Sequence, residues 1–540
     1  MERGSVAAAI AAPDSYGADT AAEILGAGGT AADAAVAVAF TLAVTYPEAG
    51  NLGGGGFATV FADGRSYFLD YRDRAPGGAS RDMYLDASGN AVPDASTVGA
   101  GAAAVPGTVA GLWQLHRRFG RLPWADVVAP AIRCAHDGFR VSRTQVALRD
   151  QRAAKLNGRT NFLAYFGALE NDAIFPQPEL EATLRRIAAA GADGFYGGRT
   201  ADLIVAEMKS SHGYISHADL AGYRAVWRAP VCGEWDGYTV ITAPPPSSGG
   251  IALLSMLAMK RNLAAAFAGI ACNSAQYVHL LAEVEKRVFA DRAEYLGDPD
   301  FYPIDVAALL DPAYLARRAN EVNPEHRTPT LEVKPGLVEH RSTTHFSVLD
   351  RWGNAVSNTY TVNDFFGSGQ VVSGAGFLLG NEMDGFSVKA GVPNIVGVVG
   401  GDANAIEPGK RPLSTMTPTI LTKEGRVAVV IGTPGGPRIA TSTLQVLSNW
   451  HDYQMPLRQA VAAPRIHHQL LPPDTLFEEP FAALEPTVRA ELIARGYTLV
   501  DQGWNGDIQV IALDVGNVVA VADPRGRGVA RVFEDRDRSF

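Results

Sequence analysis

Cysteine is scarce in this chain. Cys134, Cys232 and Cys272 are the only three, far apart, odd in number and without metal-ligand spacing. No disulfide framework follows, and all three read as small core residues. Long apolar runs are also missing. The longest, Ala34 to Tyr46, is too short and too alanine-rich to cross a bilayer. The start Met1-Glu2-Arg3-Gly4-Ser5 carries no signal-peptide pattern. As written, the chain is expected to be soluble and cytoplasmic, or periplasmic or secreted if a signal has been removed. Positive charge is in deficit, with 47 Lys and Arg against 57 Asp and Glu and a net charge of −10. With no basic cluster to override it, this argues against a nucleic-acid or anionic-membrane partner. Two tempting motifs also lack what their function needs. Gly53 to Gly56 has no Gly-Lys-Ser/Thr ending and follows no strand, so it is not a phosphate loop. A tight loop with close backbone approach is the better reading. The neighbours His467 and His468 point in different directions, with no carboxylate or thiol at ligand spacing, and read as structural.

What is present describes a well-cored α/β protein: 47% hydrophobic and 19% charged residues over 540 positions. Helices are expected from Ala18 to Leu25, stopped by Gly26, and from an N-cap at Thr30 to a point before Pro47. The region from Pro106 to about Met208 reads as mainly helical, and Glu283 to Tyr295 as a further helix. Pro244 to Gly250 is a stiff turn opening a helix from Ile251. Tyr67 to Arg72 alternates as a strand, and Arg72 by itself reads as a surface charge. The polar, Pro-bearing stretch from Asp300 to about Arg341 suits an exposed connector. Val427 to Gly432 is a buried strand that runs into Thr433-Pro434-Gly435-Gly436 and a helix from about Ile439. Gln509–Leu513 and Val518–Ala522 are the final strands.

Between the connector and the later strands lies the stretch that organises the chain, Arg341 to Asn363. Two β-rich runs flank the turn Asp350–Asn354. A hairpin symmetric about Trp352 pairs Ala355 with Leu349, Thr359 with His345 and Thr361 with Thr343. Opposed threonines can share a hydrogen bond across the ladder. Thr is a weak nucleophile unless a base takes its proton, and one solution is a chain-terminal Thr whose own α-amine is the base. Such an amine has a pKa of about 7.7–8.0, close to a working pH.

Around that pair the motifs resemble the γ-glutamyltransferase family of N-terminal-nucleophile hydrolases. They are Thr343-Thr344-His345, Asp350, Gly353 to Val356, Thr359-Tyr360-Thr361, Asn363 and Phe366 to Gly369. The likeness continues in Asn51 to Phe57, Pro244 to Gly250, Ala290 to Pro299, Lys410 to Ser414, Pro434 to Gly436 and Ala463 to Gln469. Ordered motifs over almost the whole length are very specific.

The resemblance implies a four-layer αββα sandwich built jointly by a large segment, 1–342, and a small one, 343–540. It implies self-cleavage between Ser342 and Thr343, with Thr343 as nucleophile, Thr361 holding its hydroxyl, and the amides of Gly435 and Gly436 as oxyanion hole. Arg72 would hold the substrate's α-carboxylate with its planar fork. Asn363, Ser414 and Thr415 match glutamyl-contacting positions. Glu382 and Asp384 lie in Gly376 to Phe386, which resembles the substrate-contact segment, and Pro393 to Pro412 resembles a lid. No cofactor and no metal are implied. The implied partners are a γ-glutamyl donor such as glutathione and an amino acid, peptide or water acceptor.

One position departs. Family members usually carry two acids after this Met, and the second binds the substrate's α-ammonium; here Met383 is followed by Asp384 and Gly385. Losing one partner of a desolvated charge pair costs about 2–5 kcal/mol. Two acyl groups therefore remain open: γ-glutamyl, with Glu382 or Asp384 compensating, or a glutaryl-like group without the amine, as in related cephalosporin acylases. Arg72, Asn363, Ser414 and the lid stretch favour γ-glutamyl. An unprocessed, inactive relative is the third alternative.

Overall fold

The computed structural model describes residues 6–333, 342–389, 401–514 and 517–533; for Ala293, Glu294, Leu331, Ser342, Thr343 and Asp514 it describes the backbone alone. In chain order the early strands are β1 (Ala8–Ala12), β2 (Gly55–Ala62), β3 (Arg65–Tyr71), β4 (Phe139–Arg140), β5 (Ile174–Phe175) and β6 (Val226–Arg228). Next come β7 (Val231–Trp235), β8 (Tyr238–Thr242), β9 (Ser342–Leu349), β10 (Ala355–Asn363), β11 (Thr419–Lys423) and β12 (Arg426–Gly432). Last are β13 (Thr475–Glu478), β14 (Thr498–Asp501), β15 (Gln509–Asp514), β16 (Asn517–Ala522) and β17 (Val529–Phe533). One sheet has the order β17-β1-β9-β10-β2-β3-β6, and a second the order β16-β15-β12-β11-β8-β7. β4–β5 and β13–β14 form small separate pairs.

The central strands β2, β10 and β12 are covered on both faces, so they are buried along nearly their whole length rather than alternating. Ala9 and Ala11 of β1 meet Val430 of β12 and Ile511 of β15 in a core between the sheets. Their neighbours Ile10 and Ala12 face an outer core with the helix Ala31–Thr45. Val429 and Ile431 face the opposite outer core, against the helices Gly249–Asn262, Ala275–Tyr295 and Arg438–His451. Helix, sheet, sheet and helix make the expected αββα sandwich. All fifteen residues of Ala31–Thr45 are buried, so this helix needs no polar face. Thr30 caps it as expected, and the structure adds a capping box with Asp33. The preceding helix starts earlier than expected, at Ser15, because Asp14 accepts from Gly17 N at 2.7 Å. The helix after Pro244–Ser248 likewise begins at Gly249 rather than Ile251.

Two expectations need correction. The cysteines are not core residues: Cys232 is exposed on β7, an edge strand, while Cys134 and Cys272 are half-buried. The exposed connector holds the helices Val306–Leu309 and Pro312–Asn320, and its described end is pinned down. Thr330 Oγ1 donates to Asp474 at 2.7 Å, and Lys286 donates to Thr328 O at 2.5 Å. The remainder of that stretch, 334–341, lies outside the described residues.

Candidate active site

Pairing between β9 and β10 follows the symmetric register from Leu349–Ala355 through His345–Thr359 to Thr344–Tyr360. It then shifts and resumes at Ser342–Asn363. Two residues, Thr361 and Val362, therefore oppose Thr343 alone, which is a β-bulge. Asn363, at φ 75°, makes the bend, and its N–H donates to Thr361 Oγ1 at 2.8 Å. The Thr361 hydroxyl is thus oriented by the backbone of its own bulge, opposite the position that the sequence assigns to the nucleophile. The side chains of Ser342 and Thr343 lie outside the described residues.

Loops from both sides of that strand pair converge on it. Gly53 and Gly54 pass so close that a Cβ on either would meet Leu378 O at 2.1 Å or Thr361 O at 1.9 Å, which is the close approach expected of the four glycines. Asn363 Nδ2 donates to Asn381 O at 3.0 Å, tying β10 to the short 3₁₀ turn Glu382–Gly385. Residues three apart on such a turn eclipse one another. Glu382 and Gly385 accordingly share the side that faces Arg72. Glu382 Oε2 is 2.7 Å from Arg72 Nη1, and a Cβ at Gly385 would stand 3.3 Å from Nη2. Asp384 is turned elsewhere and accepts from Ser96 at 2.7 Å. Arg72 is no surface charge: it is 3% exposed, with Nε donating to Pro412 O at 3.3 Å. Of the lid stretch, 393–400 lies outside the described residues. Its other end reaches this cluster, with Asn404 Nδ2 donating to Gly385 O at 2.8 Å.

Thr415, three residues past Pro412, donates to Gly436 O at 2.9 Å. Gly435 and Gly436 have φ of 139° and 58°, a backbone that favours glycine, and they precede the helix Arg438–His451. Among the described residues no group accepts from either of their N–H groups. Two such amides at a helix N-terminus can stabilise a developing oxyanion. Thr433 fixes this turn by donating to Pro434 O and accepting from Asp507 N, both at 2.7 Å.

Sequence reasoning missed several supports. Ser248 N and Oγ both donate to Ser414 O, at 2.7 and 2.8 Å, so Pro244–Gly250 braces the segment carrying Ser414 and Thr415. His345 is fully buried, between Thr359 Oγ1 at 2.7 Å and Ser347 Oγ at 3.2 Å. Ser347 donates onward to Gln509 O, so it accepts from His345 Nε2–H, and Nδ1 accepts from Thr359. Burial pulls this imidazole down to about 3, leaving it a neutral bridge from the hairpin to the second sheet. His345 stands two places along β9 from the candidate nucleophile, which was a readable signal. His467 and His468 are buried and held by Thr441 and by Glu285, as structural residues. They join no group of potential metal ligands among the described residues.

The family model described as Gamma-glutamyltranspeptidase matches residues 17–533. A glutathione hydrolase proenzyme of Pseudomonas aeruginosa is 59% identical over 527 residues, covering 97% of this chain and 94% of that one. The gamma-glutamyltranspeptidase from Pseudomonas nitroreducens, solved in complex with L-DON, is 54% identical. It covers 62% of this chain and 99% of the solved one, with a TM-score of 0.60. The cephalosporin acylase from Bacillus halodurans superposes with a TM-score of 0.85 at 27% identity, over 99% and 98% of the two chains.

Proposed function

The chain belongs to the gamma-glutamyltranspeptidase family, and from that premise we propose a self-cleaving enzyme that moves the γ-glutamyl group of amides such as glutathione. Cleavage falls between Ser342 and Thr343. The Thr343 hydroxyl attacks the Ser342 carbonyl, the peptide nitrogen leaves as the new α-amine, and water hydrolyses the resulting ester to a Ser342 carboxylate. The segments 1–342 and 343–540 then act as large and small subunits. In turnover the α-amine takes the hydroxyl proton, and Thr343 attacks the γ-carbonyl while the Gly435 and Gly436 amides hold the oxyanion. The departing amine receives the proton. An acceptor amine or water then attacks the γ-glutamyl ester and restores Thr343.

The observation that carries the choice of acyl group is the buried Arg72–Glu382 pair at 2.7 Å. A ligand bearing only a carboxylate would add a second negative charge to a buried site that already holds Glu382. An amino-acid head brings a charge for each partner, carboxylate to Arg72 and ammonium to Glu382. That match supports γ-glutamyl over glutaryl, despite the glycine at 385. Two measurements test the reading. Denaturing electrophoresis with N-terminal sequencing should give a smaller band starting at Thr343. γ-Glutamyl-p-nitroanilide should be hydrolysed in strong preference to glutaryl-p-nitroanilide; the reverse preference would establish the acylase alternative, and a persistent single band the inactive one.

A further inference from the structure

Beside Arg72 lies a second acid that no motif singled out. Asp73 is fully buried, and no other described residue donates a hydrogen bond to either of its carboxylate oxygens. Its Oδ2 is 4.0 Å from Arg72 Nη1, the same nitrogen that Glu382 holds at 2.7 Å. Glycine makes the room: a Cβ at Gly55 would come within 2.4 Å of Asp73 Oδ2. Gly55 pairs with Thr361 across β2 and β10, and directly opposed residues project to one face of a sheet. The Asp73 carboxyl therefore lies on the face that carries the Thr361 side chain, toward the reacting end of the hairpin. Both acids crowd the Nη1 side of the guanidinium. On the other side a Cβ at Gly385 would stand 3.3 Å from Nη2, and Nε donates to Pro412 O at 3.3 Å.

We infer that Asp73 and Glu382 together form the ammonium site for the γ-glutamyl head, while the head's carboxylate takes the guanidinium from the side that Gly385 leaves open. The inference deepens the function proposed above and rests on it. It explains how a pocket with glycine at 385 still recognises an amino acid: the second carboxylate comes from the strand end beside Arg72 rather than from the turn after Met383. Burial and the neighbouring charge of Glu382 push the Asp73 carboxyl well above the usual carboxylate range. Arg72 and Arg411 offset only part of this, and an α-ammonium beside the carboxyl would lower it further.

The test is a double-mutant cycle on the purified, processed enzyme, with Asp73→Asn, Gly385→Asp and the combined variant. Each is assayed with γ-glutamyl- and glutaryl-p-nitroanilide. Asp73→Asn should lower kcat/KM for the γ-glutamyl substrate at least tenfold, mainly through KM, and lower it much less for the glutaryl substrate, which has no ammonium. Gly385→Asp should lower kcat/KM for both substrates in either background, because it places a carboxylate on the side of Arg72 that the head's carboxylate takes. Equal losses for both substrates from Asp73→Asn would make Asp73 a structural acid and overturn the inference. So would a gain from Gly385→Asp in either background, because the head's carboxylate would then not lie on that side of Arg72. If Asp73→Asn does not mature, Asp73→Ser takes its place in the same cycle. An unsubstituted enzyme that prefers the glutaryl substrate would instead refute the proposed function itself.

Discussion

Arg72→Lys separates recognition by a planar fork from recognition by charge. Nη1 of Arg72 meets Glu382 at 2.7 Å, Nε donates to Pro412 O at 3.3 Å, and Nη2 faces Gly385. A lysine ammonium keeps a cation beside Glu382 but cannot point in all three directions. The loss is one charge-assisted hydrogen bond to the substrate carboxylate, about 1.5–3 kcal/mol. At about 1.4 kcal/mol per decade, kcat/KM should fall roughly 10- to 150-fold. The head group is bound alike in ground and transition states, so the fall should sit in KM with kcat little changed. Self-cleavage uses Thr343 and its own backbone, so the two-band pattern should persist. Steady-state kinetics on γ-glutamyl-p-nitroanilide, beside a denaturing gel and a melting curve, make the assay. An unchanged KM would refute the assignment. A loss confined to kcat would place Arg72 at the reacting centre instead, and failure to mature would make it structural.

Thr343→Ala should leave one 57.1 kDa band without turnover; two bands would move the cleavage site elsewhere. Thr361→Ala removes the acceptor that orders the bulge at 2.8 Å, a net loss of about 1 kcal/mol. Maturation followed on gels should slow about fivefold or more, and a wild-type rate would detach the bulge from catalysis. Glu285, fully buried with Oε2 accepting from His468 N at 2.7 Å, is held well above 4.5 by burial. Its raised folded value means the folded state binds the extra proton. Its contribution to stability is therefore complete below pH 4.5 and is lost as pH rises through the folded value. Glu285→Gln fixes the neutral form, so it should match the unsubstituted protein near pH 4.5. Above that it should be increasingly the more stable, by up to about 1.4 kcal/mol per pH unit, as denaturant melts would show; parallel pH curves would refute the assignment.

Local chemistry made part of this molecule readable. The Thr30 cap and the turn at Asp350 each admit few residue types for reasons within a few positions of the chain. The bulge at Thr361 was legible only in principle, through the tolerance of Asn363 for positive φ. Alternation extrapolated from the turn ran straight past it. Cys232 came out exposed because β7 closes the edge of a sheet, and an edge is a property of strand order, not of composition. Arg72 makes the same case at the site. Its own surroundings in sequence suggest a surface charge, and its burial is decided by Glu382, on the far side of the proposed cleavage point. The strand order gives the reason. β1, β2, β3 and β6 precede position 342, while β9, β10 and β17 begin at or after it, and all seven interleave in one sheet. Neither segment can build that sheet, or the head-group pocket at its end, without the other. The proposed cleavage therefore requires the fold to form first on the intact chain, so that the cut between Ser342 and Thr343 would expose an amine inside a site that is already assembled.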